Sequence, residues 1–207
     1  NDSMTVNVTL AGCGNITSVT WSDGQHNVTV WANDTSGSVG SDSVNFTIGS
    51  SVSSCQILDI ANTVYNQTAN IEDNSLTDVC MNITAENITY NGNGFWIKSN
   101  DAHSGIYSNS TDTTINAVNI TMSTSSGGFG VELKADNSTV QHSVFGNQNM
   151  GISSGADRSL IWNNTMNSTC GGCRGISISS ADYNNITLNR GETSGGVGIF
   201  TSSSSYN

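Results

Sequence analysis

The sequence of 207 residues has few basic side chains, no proline and no long apolar run. Lys and Arg together number 5 against 16 Asp and Glu, which gives a formal net charge of −11. Nucleic-acid binding requires clustered Lys and Arg that neutralise phosphates, so the composition argues against a nucleic-acid partner. It also disfavours anionic membrane surfaces. Because no run of about 18 apolar residues occurs, we expect no membrane insertion in this segment.

Good helix formers are scarce as well, since Ser, Asn, Thr and Gly make up about half of the chain. Alternating segments rich in Val, Ile and Thr, such as 6–10, 28–31 and 44–48, are typical of strands. An apolar content of 35% with only 10% charged residues does not fit a disordered chain. We therefore predict an all-β, extracellular protein. Because no initiator Met or signal sequence begins the chain, we interpret it as a mature product or a fragment.

Fifteen Asn-x-Ser/Thr sequons occur, about twice as many as the composition alone would supply. This density predicts N-linked glycans on a secreted surface. The alternative is that Asn-Ile-Thr and Asn-Val-Thr triplets are turn-and-strand units multiplied by an internal repeat. Polar, turn-like neighbours make Asn66 and Asn137 better candidates than Asn27, which lies within a strand pattern. The predicted glycosylation sites are Asn7, Asn15, Asn33, Asn66, Asn82, Asn87, Asn109, Asn119, Asn137, Asn163, Asn167 and Asn185.

The chain has five cysteines, for which disulfide bonding is the default in a secreted protein, with one cysteine left over. Cys170-Gly-Gly-Cys173 has the spacing of a redox pair or of half a zinc site. The histidines lack ligand spacing, and no predicted helix follows to form a thioredoxin-like site. We therefore favour a local disulfide between Cys170 and Cys173. Cys13 has no assigned partner, and a bond to another chain is one option.

From Gly105 onward the chain repeats itself. Each repeat opens with Gly-Ile or Gly-Val, and the first four continue to an aspartate and then to a second apolar position. The repeats open at Gly105, Gly130, Gly151, Gly175 and Gly198, about 23 residues apart on average. This period without helices predicts the coils of a parallel β-helix, because propeller blades are longer and the leucine-rich consensus is absent.

Stacked coils of a β-helix lie about 4.8 Å apart, so equivalent side chains lie over one another. We expect Ile152 to lie between Val131 and Ile176 in an interior ladder. Gly and Asn are expected at corners that need a positive φ. The segment 168–174 is expected to be an insertion at one corner. Cys55 and Cys80 would lie one coil apart, where a disulfide could join the first two coils.

Two stretches carry a resemblance to a known family. Cys55-Gln-Ile-Leu-Asp-Ile60, followed by Tyr65 and Cys80-Met-Asn-Ile-Thr-Ala-Glu-Asn-Ile-Thr-Tyr-Asn-Gly-Asn-Gly94, resembles the entry coils of pectate-lyase-like right-handed β-helix proteins. The chain is especially similar to archaeal and bacterial surface proteins whose repeats contain phrases such as Asn-Ile-Thr-x-x-Gly-Asn-Gly. The resemblance implies a right-handed parallel β-helix over residues 55–207.

Residues 1–48 have a different pattern, in which 25–48 looks like the last two strands of an immunoglobulin-like surface module. We predict a partial immunoglobulin-like, β-sandwich-like segment at 1–48 and a linker at 49–54 before the β-helix. Trp21 and Trp31 are expected to fill the core of the N-terminal strands. Three explanations for the missing strands of the sandwich stay open. The earlier strands were cut off, this segment docks on the β-helix, or another subunit completes the sandwich by strand addition.

The resemblance also raises the question of polysaccharide cleavage. A lyase needs a basic residue beside Ca²⁺-binding carboxylates, and the best cluster comprises Glu132, Lys134, Asp136, Asp157 and Arg158. Paired aspartates and the Gly-His-Gly phrase of the related hydrolases are absent, which counts against glycoside hydrolysis. We therefore assign no catalytic residue and expect no enzymatic activity. A carbohydrate-binding or lyase-like β-helix that uses this acidic and basic face is the alternative.

Asp136, Asp157 and Asp182 share one repeat position and are expected to stack about 5 Å apart. Repulsion between the carboxylates could be relieved by Ca²⁺ or by Arg158. The simpler interpretation is that each aspartate accepts a turn hydrogen bond at a solvated corner. We favour that interpretation, keep Ca²⁺ as a weaker candidate, and expect no cofactor other than this ion and N-linked glycans.

These observations predict a structural, glycosylated extracellular or cell-surface protein. Open β edges or coil ends would let it self-associate into a filament or surface layer. Polysaccharide is a further candidate partner. A trimeric phage or virus adhesin is a weaker alternative.

Overall fold

The structure is a computed structural model that describes residues 21–125, 127–146, 148–168, 170–193 and 197–205. The predicted strand 6–10, Cys13, Asn7 and Asn15 lie outside the described residues. Within them the chain forms strands, turns and bends but no helix, which confirms the all-β prediction.

The first two strands form an antiparallel hairpin, sheet A. Its strands are β1 (Gly24–Asn33) and β2 (Val39–Ile48), and all ten residues of each strand are paired. The turn between them is held by Asp34, whose Oδ1 accepts hydrogen bonds from the backbone N–H groups of Ser36 and Ser38, both at 2.9 Å. The Ser36 hydroxyl and these backbone groups lower the pKa of Asp34 from its ordinary value of 3.8.

The two faces of the hairpin differ in polarity because successive side chains of a strand point to opposite sides. The apolar face carries Val28, Val30, Val44 and Phe46, with His26 and Asp42 as its polar members. The polar face carries the sequon asparagines Asn27, Asn33 and Asn45. Trp21 packs edge-on against Phe46 at the base, with ring centroids 5.1 Å apart. Further out the apolar face is open, since Val30 is 63% and Val44 56% exposed.

The prediction that Trp31 fills a core is wrong, because its side chain is 59% exposed. The cause is the alternation of β1, which places Trp31 on the polar face together with Asn33 and opposite to Val30. Trp21 does pack inside the base of the hairpin. The immunoglobulin-like assignment of 1–48 stays a prediction.

Beyond the hairpin the chain winds through three parallel sheets that stack successive coils. Sheet B contains β3 (Ser50–Val52), β5 (Val64–Gln67), β8 (Thr89–Asn91), β11 (Thr114–Asn116), β14 (Thr139–Gln141), β17 (Leu160–Trp162) and β20 (Asn185–Thr187). Sheet C contains β4 (Gln56–Leu58), β7 (Met81–Ile83), β10 (Ile106–Ser108), β13 (Phe129–Leu133), β16 (Met150–Ser154), β19 (Arg174–Ser179) and β22 (Val197–Ser202). Sheet D contains β6 (Ile71–Glu72), β9 (Trp96–Lys98), β12 (Asn119–Thr121), β15 (Val144–Phe145), β18 (Thr165–Ser168) and β21 (Arg190–Thr193).

These sheets form a β-solenoid of about five turns with about 25 residues per turn. Val131 pairs with Ile152, and Ile152 pairs with Ile176, which confirms the predicted interior ladder. The sequence period of about 23 residues is shorter because it was averaged only over the coils from Gly105 onward. The longer coils that precede Gly105 were not included. Those coils include the one between Cys55 and Cys80, which are 25 residues apart.

Coil length varies at the corner where the chain passes from sheet D to sheet C. The connection comprises residues 73–80 after β6 but only 146–149 after β15. The predicted insertion at 168–174 falls at this corner, but its connection, residues 169–173, is shorter than the one after β6. The solenoid also begins earlier than predicted, since β3 lies inside the segment 49–54 that was assigned as a linker. Its Val52 side chain is buried, which explains why this short segment joins the coil.

Alternate side chains of the three sheets fill the interior. The largest buried ones include Tyr90, Phe145, Leu58, Met81, Ile97, Ile115 and Ile120. Tyr90 satisfies its hydroxyl by donating to Gln67 Oε1 at 3.1 Å, and burial raises the pKa of this phenol above its ordinary value of 10.0. The interior is therefore a packed core.

The repeat glycines stack in one column and none of them has a positive φ, whereas the corner residues Gly94 and Gly127 have one, as predicted. A Cβ on Gly130 would lie 2.5 Å from the carbonyl oxygen of Gly151 and 2.5 Å from Phe145 Cδ1. A Cβ on Gly151 would likewise lie 2.5 Å from the carbonyl oxygen of Gly175. Close approach of neighbouring coils thus requires glycine in this column. Positive φ also occurs at the corner between sheets C and B, at Asn62, Asn87, Asp112, Asn137, Arg158 and Tyr183, and at the corner between sheets B and D, at Ala117, His142, Asn163 and Leu188.

Candidate functional site

The predicted acidic and basic face divides into two separate ion pairs. On the outer surface of sheet C, Lys134 Nζ lies 2.9 Å from Glu132 Oε1. Glu132 Oε2 accepts a hydrogen bond from the Ser104 hydroxyl at 2.9 Å. Both carboxylate oxygens of Glu132 therefore have a partner. One partner is Lys134 on the same coil, and the other is Ser104 on the neighbouring coil.

The second pair lies at the corner between sheets C and B. Arg158 Nη2 donates to Asp136 Oδ2 at 2.7 Å, and Arg158 Nε donates to Asn137 Oδ1 at 3.1 Å. A basic residue of a lyase would have to leave such a pair before it could take a proton from a substrate. Both pairs are partly solvated, so each contributes little to stability.

Asp136, Asp157 and Asp182 form a hydrogen-bonded column at the same corner. The carboxylate of each aspartate accepts a hydrogen bond from a backbone N–H of the next coil. Asp136 Oδ1 accepts from the Asp157 N–H at 3.0 Å, and Asp157 Oδ1 accepts from the Asp182 N–H at 2.8 Å. Asp182 Oδ1 accepts from the Ser205 N–H at 2.6 Å. The bonds join coils, whereas we expected each aspartate to bond its own turn. Asp112 stands one position later and stacks with Asn137.

Calcium binding requires six to eight oxygen ligands around one ion. In the part of the chain that the structure describes, no group of three His, Cys, Asp or Glu side chains is arranged to hold a metal. In the column, one oxygen of each carboxylate already accepts a backbone hydrogen bond. The arrangement therefore accounts for the repeated aspartate as a link between coils.

We predict that Asp157→Ala lowers the free energy of unfolding by about 1–2 kcal/mol, because the Asp182 N–H loses its acceptor. Asp157→Asn keeps an oxygen acceptor and is expected to cost less than about 0.5 kcal/mol. Urea denaturation followed by circular dichroism measures both values. Equal losses in the two variants would contradict this assignment and would point to a role for the charge. A fall in Tm of the unmutated protein on adding EDTA would then indicate calcium.

The sequon asparagines are distributed over all outer sides of the solenoid. Asn82 lies on sheet C, Asn66 and Asn185 on sheet B, and Asn119 and Asn167 on sheet D. Asn87, Asn137 and Asn163 lie at corners with a positive φ, and Asn109 directly follows β10. Asn33 ends β1 of the hairpin. No single face collects the predicted glycosylation sites that lie in the described residues.

Asn66 and Asn137, the two favoured sequons, have different surroundings. Asn137 is exposed at its corner, whereas Asn66 is half-buried within a strand of sheet B. Asn66 belongs to a ladder in which Asn91 Nδ2 donates to Asn66 Oδ1, and Asn116 Nδ2 donates to Asn91 Oδ1, both at 3.2 Å. The sequence analysis missed Asn91 and Asn116. The spacing of 25 residues between successive asparagines of this ladder was the available signal.

The cysteines pair as predicted. Cys55 and Cys80 form a disulfide between adjacent coils, with Cα atoms 4.5 Å apart, and Cys170 and Cys173 close a loop of the variable corner. Disulfides are typical of oxidising compartments and of secreted proteins.

In the described residues, no helix has the length and apolar character needed to cross a bilayer. Comparison with protein-family models, with curated proteins and with solved structures finds no match to this chain. The structure supports the resemblance to β-helix proteins in the fold alone, which is a parallel β-solenoid. This fold occurs among enzymes and among structural proteins.

Proposed function

We propose that this chain is a structural, glycosylated extracellular protein that self-associates at a cell surface or in a filament. The orientation of its sequon asparagines carries the proposal. Twelve sequon asparagines fall in the described residues, and each one is exposed or half-buried. These residues are therefore on the outer side of the chain, where a glycan can be attached.

Asparagines outside sequons provide the contrast. Asn164 and Asn184 are buried and are the direct neighbours of the sequon residues Asn163 and Asn185. In each Asn-Asn pair, the residue that faces the interior lacks the sequon and the residue that faces solvent has it. Strand alternation alone places the Asn and Thr of Asn-Ile-Thr on the same outer face, so occupancy is the decisive measurement.

The hairpin supports the self-association part of the proposal. Among the described residues its two strands pair only with each other, so each outer edge presents backbone groups with no neighbouring strand. Such edges pair readily with another chain. The apolar face beside these edges is also open at Val30 and Val44. A two-stranded ribbon of this kind gains stability when a further layer covers it.

The proposal is tested on the full chain secreted from a host that attaches N-linked glycans. We expect an intact mass well above 21.6 kDa and filaments or sheets in negative-stain electron microscopy. Val44→Lys places a charge on the apolar face opposite Val28 and is expected to convert the assemblies into dispersed particles. Ser43→Lys places the same charge on the polar face and is the matched control, expected to leave the assemblies intact.

Two results would contradict the proposal. An unmodified mass would remove the glycoprotein assignment. Monomeric particles at all concentrations would remove the assembly assignment, and cleavage of uronate polymers by the same material would favour the lyase-like alternative instead.

A further inference from the structure

Two aromatic side chains are more exposed than any other in the described residues, and both precede a sequon by two positions. Trp31 and Tyr183 are each 59% exposed. Trp31 stands two residues before Asn33 in Trp31-Ala-Asn33-Asp-Thr35, and Tyr183 stands two residues before Asn185 in Tyr183-Asn-Asn185-Ile-Thr187. The half-buried Tyr107 has the same position relative to Asn109.

An exposed tryptophan is costly to leave in water, since its ring is one of the largest apolar surfaces that a residue offers. The usual explanation is packing in a core, but the described residues form no core on the face of β1 that carries Trp31. The question is therefore which apolar surface covers this ring in the mature protein.

We propose that Trp31 is the stacking platform for the first sugar of an N-linked glycan on Asn33, and that Tyr183 serves Asn185 in the same way. The inference rests on the proposed glycosylation and adds the ligand that each exposed ring receives. That ligand is the pyranose ring bonded to the neighbouring asparagine.

Geometry supports the pairing on the hairpin. Residues two apart on a strand point to the same face about 6.8 Å from one another, so the Trp31 ring and the Asn33 amide share one surface. Val39 lies directly opposite Asn33 on β2 and is also exposed. The Asn33 amide therefore stands between an exposed indole and an exposed valine.

The chemistry of the two partners is complementary. One face of a pyranose consists of C–H groups, which carry partial positive charge and are apolar. The face of an aromatic ring carries partial negative charge and attracts such groups. Attachment forms a bond between Asn33 Nδ2 and the anomeric carbon of the sugar. It breaks the bond from that carbon to the phosphate of a lipid-linked donor, and one amide proton leaves with the released phosphate.

The turn that follows Asn33 holds the backbone in a fixed conformation. The Asp34 carboxylate accepts the N–H groups of Ser36 and Ser38, and the Asp34 N–H donates to the Ser38 carbonyl at 3.0 Å. Because the asparagine lies next to this turn, little conformational freedom is lost when the sugar settles on the ring. The sugar in turn is expected to slow opening of the hairpin.

The test is a double-mutant cycle on the full chain secreted from a glycosylating host. Thr35→Ala removes the Asn33 glycan and keeps the asparagine, and Trp31→Thr removes the ring and keeps a strand-forming residue. Hydrogen exchange of the backbone amides of Ala32 and Gly40, which lie opposite one another in a hydrogen-bonded pair of the hairpin, is measured in the four combinations. We expect the glycan to slow exchange by roughly three- to tenfold with Trp31 present, and by less than about twofold in Trp31→Thr.

Asn137 provides the matched control, because it lies on the outer surface, has a Thr at the third sequon position and has Ala135 two residues before it. Thr139→Ala removes the glycan on Asn137, and the same substitution in unglycosylated protein shows the effect of the side chain alone. The exchange rates of adjacent amides should change by less than about twofold more in the glycosylated protein than in the unglycosylated one. The cycle at the second site uses Tyr183→Asn, since asparagine tolerates the positive φ of this residue.

Equal slowing of exchange by the Asn33 glycan with and without Trp31 would overturn the inference and leave the proposed function intact. Glycans elsewhere with an unmodified Asn33 and Asn185 would do the same. A chain that carries no glycan at any sequon would overturn both.

Discussion

Gly130→Ala is expected to lower the free energy of unfolding by about 3 kcal/mol. The new methyl group would meet the Gly151 carbonyl oxygen, Phe145 Cδ1 and Gln148 Nε2, each at 2.5 Å. Two of these neighbours resist displacement, because the carbonyl belongs to the backbone of the next coil and the Phe145 ring is buried in the core. The coils must therefore separate at this corner, and hydrogen bonds of sheet C near β13 and β16 are expected to weaken first.

Gly155→Ala is the matched control at the other end of the neighbouring strand β16. Its nearest neighbour would be the Ser179 carbonyl oxygen at 3.7 Å, which is an ordinary contact, and its φ is not positive. We expect a change within about 0.5 kcal/mol. Urea denaturation gives the two free energies, and hydrogen exchange shows whether the loss is centred on β13 and β16. Similar stabilities for the two variants would show that coil spacing does not depend on the glycine column.

The same column shows which parts of the fold the sequence could predict. Regular recurrence of Gly-Ile identified the coil, and the pairing of Val131, Ile152 and Ile176 followed from stacking alone. The reason for the glycine was not accessible, because a contact between the backbone of one coil and a ring from sheet D depends on three-dimensional spacing. Sequence propensity offers positive φ as the default explanation, and among the described residues asparagine adopts it as often as glycine does.

Candidate site residues could be predicted where they recur at one position of the repeat. They could not be predicted where their role depends on neighbours that are distant in the sequence. The aspartates were identified as a column from their common phrase. Their acceptor role toward the next coil required the structure, since a side chain that bonds its own turn and one that bonds the next coil have the same sequence pattern. Trp31 was misassigned because an aromatic residue in a strand usually faces a core, whereas its register places it beside a sequon.

Hydrogen-bonded columns explain how so polar a chain forms a stable solenoid. Each coil offers the next one not only strand hydrogen bonds but also side-chain bonds, from the Asn66–Asn91–Asn116 ladder and from the aspartate column. Each of these bonds is modest, and in a solenoid they act between nearest neighbours. Stability is therefore local, and the coil at which unfolding begins is set by whichever link is weakest.

The link between the first coils is covalent, and its loss is the other large effect that we expect. Cys55→Ser with Cys80→Ser should lower the free energy of unfolding by about 3.5 kcal/mol, the chain-entropy value for a closed loop of about 25 residues. Cys170→Ser with Cys173→Ser removes a loop of sequence separation 3. That pair is expected to cost about 1.6 kcal/mol by the same relation.

The position of the disulfide determines where this loss is seen. Because solenoid coils contact only their neighbours, opening in the Cys55→Ser, Cys80→Ser variant should be concentrated in β4, β5 and β7, while β16 and β19 keep their protection. Hydrogen exchange with and without reductant measures this pattern, and the Cys170→Ser, Cys173→Ser variant is the control for general effects of reduction. Uniform loss of protection along all coils would mean that the solenoid unfolds as one cooperative unit. In that case the disulfide would stabilise the whole chain and not its first coils.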